Sequence, residues 1–286
     1  MTNEESQPFD EWKGKEESLN AFIDAWHVRA MAATLDLASA PGDNLPPGWQ
    51  WMFFNPIARR SGLARDGHPI RGGFLPPIEL PRRMWAGSRL RYLAEVPIES
   101  VAERHSRITS IERKVGRRGD LWFVTVTHVI SVAGRPCIEE EQDIVFREAP
   151  SPELGVGMPL PYVQAATWTE EVVVDTTTLF RYSALTFNGH RIHYDAPYAR
   201  EVEGYPGLVV HGPLIATLLQ RFVLSNVPGR LASFEFRGVS PLHVDRPFRL
   251  NGRKDDVGDL AKVWATGPDG ELAMSATALV HREDQV

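Results

Sequence analysis

The chain has 286 residues, 43% of them hydrophobic and 24% charged, with a formal net charge of −6. This is the composition of a packed globular protein and excludes a disordered chain. The acidic balance argues against a general nucleic-acid binder, which would carry a basic face. A few arginines would still suffice for a phosphate or carboxylate ligand. The single cysteine, Cys137, can make neither an internal disulfide nor a thiolate zinc cage, and between Pro136 and Ile138 it suits a strand better than a nucleophile.

The opening MTNEESQPFDEWKGKEE is acidic and polar, unlike a signal or transit peptide. No apolar stretch reaches the roughly 20 residues that span a bilayer. A cytoplasmic protein without membrane contact is expected.

In chain order, Leu19, Phe22, Ile23, Trp26, Ala30, Ala33 and Leu37 recur at helical spacing. They predict one amphipathic helix of about five turns, with Ser18 as its cap and Pro41-Gly42 as its stop. LPPGWQWMFF then reads as a turn feeding a short aromatic strand. Residues 67–81 carry four prolines and three glycines, which no regular helix survives. From Ser88 to Arg147, β-branched and aromatic residues alternate with polar ones, broken at Gly119-Asp120 and Gly134; an antiparallel meander is predicted. The Pro/Gly-rich stretch 148–161 is the expected boundary between a half spanning 1–150 and one spanning 151–286.

The second half repeats the grammar of the first. RAMAATLD from Arg29 matches RYSALTFN from Arg181 at an offset of 152, and the halves end on VFRE and VHRE. This order predicts an internal duplication. Only the second half holds PLIATLLQRFVL, residues 213–224, apolar on all sides like a buried helix, with Pro213 suited to its first turn. A sheet wrapped around one buried helix is the hot-dog arrangement. The expected fold is therefore an α+β double hot-dog whose first half has lost its helix to the proline-rich segment.

The chemistry concentrates in FRYSALTFNGHRIHYDAPYA (180–199) and YPGLVVHGPL (205–214). His190, His193 and His211 fall close together, and an imidazole moves protons at neutral pH. Asn188 lies five residues before His193, near enough to share a water. Gly212 opens the buried helix, where free N–H groups and the positive dipole end would steady a developing enolate oxygen.

These segments resemble the MaoC-like (R)-specific enoyl-thioester hydratases, whose motif runs Gly-Asp-x-Asn-Pro-x-His-x-Asp-Pro-x-x-Ala and later His-Gly at the hot-dog helix. His193, Asp195 and Ala199 match its His, second Asp and Ala, and Val210-His211-Gly212 its helix entry. The variant RYSALTFNGHRIHYD, with LPRRMWAGSRL at 80–90, is most similar to the mesaconyl-CoA/itaconyl-CoA hydratase and mitochondrial-type 3-hydroxyacyl-thioester dehydratase branch. The resemblance implies His193 as general base, Gly212 N–H as oxyanion donor, an acyl-CoA thioester substrate, no cofactor and no metal, and a homodimer or higher homo-oligomer. It departs at Asn188, where the family has its catalytic Asp, and at His190, where it has Asn. An Asn takes no proton, so at most it orients water.

His190, His211, Arg82, Arg83 and Arg191 are expected to bind substrate, the arginines holding CoA phosphates or an acyl carboxylate unless they are ordinary solvated or structural residues. His190 and His193 have the spacing of a metal pair, but no third ligand is well spaced. Asp195 suits a loop cap. Gly155-Val156-Gly157 lacks the third glycine of a dinucleotide loop. With Pro41 aligned to His193, the first half has no base in register, so one active site per chain is expected. The reading is an enoyl-CoA hydratase/dehydratase for a short branched dicarboxylyl group. The alternatives are a dehydratase for longer apolar chains and a non-catalytic acyl-thioester-binding subunit.

Overall fold

The structure is a computed structural model that describes residues 8–39, 41–116, 119–148, 161–255 and 259–282. The boundary stretch, Gly155-Val156-Gly157 and Glu283 lie outside the described residues. Strand β1 (Glu16–Ile23) and helix α1 (Ala25–Thr34) open the first half, followed by strands β2 (Arg82–Tyr92), β3 (Ser100–Gly116), β4 (Gly119–Val132) and β5 (Arg135–Arg147). The second half follows with β6 (Trp168–Val172), α2 (Thr176–Leu185), α3 (Gly212–Asn226), β7 (Arg230–Gly238), β8 (Phe248–Lys254), β9 (Leu260–Thr266) and β10 (Leu272–His281).

All ten strands form one antiparallel sheet in the order β1-β3-β4-β5-β2-β7-β10-β9-β8-β6. Read outward from the β2–β7 seam, each half repeats the same order: β2, β5, β4, β3, β1 on one side and β7, β10, β9, β8, β6 on the other. This is a double hot-dog. Helix α3 lies against β7, β8, β9 and β10. It is buried from Leu214 to Gln220 and again at Phe222 and Val223, as its apolar circumference requires. No described helix is long and apolar enough to cross a membrane.

Where α3 stands in the second half, the first has the proline-rich segment. Ile78, 1% exposed, packs with Ile108, Trp122, Val124, Val126, Ile144 and Phe146 in a small separate core. Trp49, Met52, Phe53 and Phe54 join the main core. An irregular chain thus fills the space with side chains, and its backbone groups are met one at a time. Arg71 is spent this way, donating to the carbonyls of Ile78, Leu80 and Pro81.

Four sequence expectations are corrected. The predicted long helix is two elements: residues 16–23 are strand, with alternating exposure, and helix starts only at Ala25. In the strand Leu19, Ala21 and Ile23 turn inward while Phe22 faces out, and helix begins only after Asp24, whose carboxylate accepts from His27 N at 2.9 Å and caps α1. Ser18 is a strand residue, and the helix stops at Thr34, well before Pro41. The aromatic run is a 3-10 turn, Trp49–Met52, and not a strand. The meander holds for β3, β4 and β5, but β2 lies beyond β5 because it forms the seam with β7.

The fourth correction is the repeat register. Asp175 caps α2 by accepting from Thr178 N, as Asp24 caps α1. Asp36 and Phe187 take the same left-handed turn (φ 53° and 48°). Leu37 N donates to Ala32 O as Asn188 N does to Ser183 O. All these pairs are 151 residues apart, so Asn188 corresponds to Leu37 and His193 to Gly42. The first half still has no base in register.

The seam depends on close approach at Gly87, where a Cβ would sit 2.3 Å from the carbonyl oxygen of Phe236. Gly87→Val is therefore expected to destabilise the protein by about 2–4 kcal/mol, while Gly73→Ala, with open space around it, stays near neutral. Thermal unfolding of the two variants checks this.

Candidate active site

Helix α2 ends at Leu185, and the left-handed turn at Phe187 sends the chain into the histidine loop. Asn188 organises that loop, its Oδ1 accepting from His190 N at 3.0 Å. A 3-10 turn, Arg191–His193, then presents His193, which is 7% exposed. Its Nδ1–H donates to the carbonyl of Val209 at 2.7 Å, so the neutral ring carries its lone pair on Nε2. On one face the ring stacks on His211, with centroids 3.6 Å apart and planes 18° apart. His211 is fully buried and shares a hydrogen bond between Nε2 and Ser183 Oγ at 2.9 Å. Burial pushes the pKa of His193 down to about 4, against the raising effect of the Val209 carbonyl and with the help of nearby His68. At neutral pH it is a free base.

Gly212 is the first residue of α3, where backbone N–H groups have no intrahelical partner and the dipole is positive. Its Cα faces open space: an added Cβ would meet nothing within 4 Å.

The first half completes the site. Gly67, at φ +89°, approaches the histidine loop so closely that a Cβ would lie 1.9 Å from Gly189 O. Arg191 N donates to Asp66 O at 2.9 Å, and the Arg191 guanidinium donates to Arg65 O at 3.2 Å and to Asp195 Oδ2 at 2.7 Å. This docking brings in two residues that the sequence reading missed. His68 Nδ1–H donates to Asp66 Oδ2 at 3.2 Å, and the His68 ring lies 4.2 Å from that of His190, whose edge meets His193 at 5.4 Å. Burial acts to raise the Asp66 carboxyl, but its bonds from His68 and the charge of His190 hold it well below the usual carboxylate range. Burial also lowers His68 and His190. The available signal was the DGHP turn inside the segment that replaces a helix.

Asp66, His68 and His190 place one ligand atom each within 4.8 Å of one another, a spacing that fits a metal ion. The bond from His68 Nδ1–H to Asp66 leaves Nε2 as that ring's ligand atom, whereas the charges of Arg83 and Arg71, which also act on this cluster, disfavour a dication.

Of the other sequence candidates, His190 lines the row of imidazoles and His211 backs His193 from within the core. Arg82 is tied to Glu203 (Nε to Oε2, 3.3 Å), and Arg191 is ion-paired with Asp195. Asp195 also accepts from Tyr198 N, as a loop cap does. The Arg83 guanidinium makes no hydrogen bond or ion pair among the described residues, and burial lowers its pKa.

A buried neutral imidazole, a helix N-terminus and open space beside it are thus present on a double hot-dog. The family model of hydroxyacyl-thioester dehydratase type 2 matches residues 48–244, more than half of the chain and inclusive of both site loops. The chain is 48% identical over 270 residues to a mesaconyl-C(4)-CoA hydratase of Chloroflexus aurantiacus, covering 93% of this chain and 95% of that one. It is 27% identical to the mitochondrial hydroxyacyl-thioester dehydratase type 2 of Schizosaccharomyces pombe, over 78% of this chain and 82% of that one. A solved MaoC-like dehydratase superposes with a TM-score of 0.70 at 16% identity, covering 95% and 98% of the two chains, and shares the fold. The protein belongs to the hydroxyacyl-thioester dehydratase type 2 family and is an enzyme of the hydratase/dehydratase class.

The depressed imidazoles link folding to pH. His193 and His128 fall from an unfolded value of 6.5 to about 4 and about 3, mainly through burial. The unfolded chain therefore binds more protons below pH 6.5. Their contribution is fully present above that pH and is lost as pH falls toward 4, by on the order of 1.4 kcal/mol per pH unit for each group. Tm is expected to drop steadily from pH 6.5 to 4; a flat profile in calorimetry would contradict the buried neutral assignment.

Proposed function

We propose that the protein catalyses reversible addition of water across the α,β double bond of an enoyl-CoA, with a short branched dicarboxylyl group such as mesaconyl-C4 as its acyl part. The observation that carries this is the bare Nε2 of His193 in a site that also holds the N-terminus of α3. His193 Nε2 takes a proton from water as the water oxygen bonds to the β-carbon. The electron pair of the double bond moves toward the thioester oxygen, which Gly212 N–H holds while enolate charge builds. The imidazolium then returns the proton to the α-carbon and the thioester carbonyl re-forms. Asn188 Oδ1 is committed to His190 N, which leaves its amide group to orient the water.

The catalytic half is residues 151–286. Residues 1–150, which carry no base of their own in register, contribute the loop around Gly67. The acyl assignment draws on the relative from Chloroflexus aurantiacus, named as a mesaconyl-C(4)-CoA hydratase. A cytoplasmic homodimer or higher homo-oligomer is the proposed form; the exposed Phe22, Trp26 and Val101 around β1 offer an apolar surface for assembly.

The rival reading is a longer apolar acyl chain, as in a general 3-hydroxyacyl-thioester dehydratase. Comparing kcat/KM for mesaconyl-C4-CoA with that for C8 to C12 enoyl-CoAs separates the two. Mesaconyl-C4-CoA is expected to win by at least about tenfold, or roughly 1.4 kcal/mol in transition-state binding. A tenfold preference for the long chain would overturn the acyl assignment.

A further inference from the structure

We propose that Arg83 is the anchor for the free carboxylate of the acyl group, and so the residue that makes the site select dicarboxylyl thioesters. The inference rests on the hydratase reading above.

Two of the three sequence-candidate arginines are already engaged. Arg82 pairs with Glu203, donates to the Glu203 carbonyl and lies over the ring of Tyr205. Arg191 is held by Asp195 and the Arg65 carbonyl and lies over Tyr198, tying the two loops together. The Arg83 guanidinium has neither hydrogen bond nor ion pair among the described residues, and the residue is partly buried. Neighbours on a strand point to opposite faces, so with Arg82 turned to Glu203, Arg83 is directed the other way. It lies close enough to His68 and His190 for its charge to oppose their protonation.

The charges around Arg83 do not balance. Those that act on it are Asp66 and Arg71. Arg71 is bonded to neutral carbonyls, and Asp66 to His68. With the imidazoles neutral, two guanidinium charges face one carboxylate, which leaves one positive charge. A cation removed from water without a partner is unfavourable. One further carboxylate corrects this, and a planar guanidinium accommodates it in a two-pronged hydrogen bond. The acyl end of a C5-dicarboxylyl thioester brings that carboxylate to the histidines where the double bond must react. The same surplus positive charge makes a metal ion at Asp66, His68 and His190 the poorer occupant.

The test measures kcat/KM for mesaconyl-C4-CoA and crotonyl-CoA, which share the CoA portion and differ in the carboxylate, in the wild type, Arg83→Met and Arg83→Lys. The ratio of the two constants is expected to fall roughly 10²-fold in Arg83→Met, within the range lost when a charged partner is removed, and to recover in part in Arg83→Lys. If both substrates fall together with the ratio unchanged, Arg83 serves the CoA phosphates or the fold, and the proposal is overturned. A wild type that hydrates crotonyl-CoA but not mesaconyl-C4-CoA also overturns it, and leaves the hydratase reading standing. Failure of the wild type on every enoyl-CoA overturns both.

Discussion

At Gly67 the backbone of the first half comes so near the carbonyl of Gly189 that any side chain would overlap it. This contact, with the hydrogen bond from Arg191 N to Asp66 O, fixes the position of a proline-rich loop on the histidine loop of the other half. Asp66 and His68 reach the imidazoles only because the two backbones meet there. Side chains reinforce the joint: Arg191 donates to the Arg65 carbonyl, and Arg82 pairs with Glu203.

Loss of a helix thus has a chemical consequence as well as a structural one. The repeat makes both halves the same at the level of strands: the caps at Asp24 and Asp175 and the turns at Asp36 and Phe187 still correspond. One half kept its buried helix and with it an N-terminus that can hold a thioester oxygen. The other has an irregular chain in the place of a helix, and that chain sets Asp66 and His68 beside the histidine loop, while Arg83 follows at the start of β2. A carboxylate is missing from the histidine loop at Asn188, and an ionised one enters from the opposite half at Asp66.

Much of this was legible in the sequence, where local chemistry decides structure. The all-round apolar run 213–224 gave the buried helix, the alternation from Ser88 to Arg147 gave strands, and His193 and Gly212 follow from motif and helix position. The amino-terminal segment is not legible from spacing alone: Leu19, Phe22, Ile23 and Trp26 recur as in a helix, but the strand turns Leu19, Ala21 and Ile23 inward and leaves Phe22 outside, and helix starts only at the Asp24 cap. Asp66 and His68 were not legible. They lie more than 120 residues from His190 and His193, in a segment without periodicity, and only the fold brings them together. The roles of the three arginines were equally hidden, since Glu203 and Asp195, which occupy two of them, are partners chosen in space.

The proposed chemistry turns on His193. Its ring is held by Val209 on one edge and by His211 on one face, which leaves Nε2 as the ring nitrogen without a hydrogen bond among the described residues. The most direct test is turnover of His193→Gln, followed by loss of the enone absorbance of an enoyl-CoA, with circular dichroism to verify folding. The variant is expected to fold, with kcat lower by roughly 10²- to 10⁴-fold, the usual cost of losing a general acid–base. A folded variant within about threefold of wild type, well short of the loss that general acid–base catalysis implies, would contradict it.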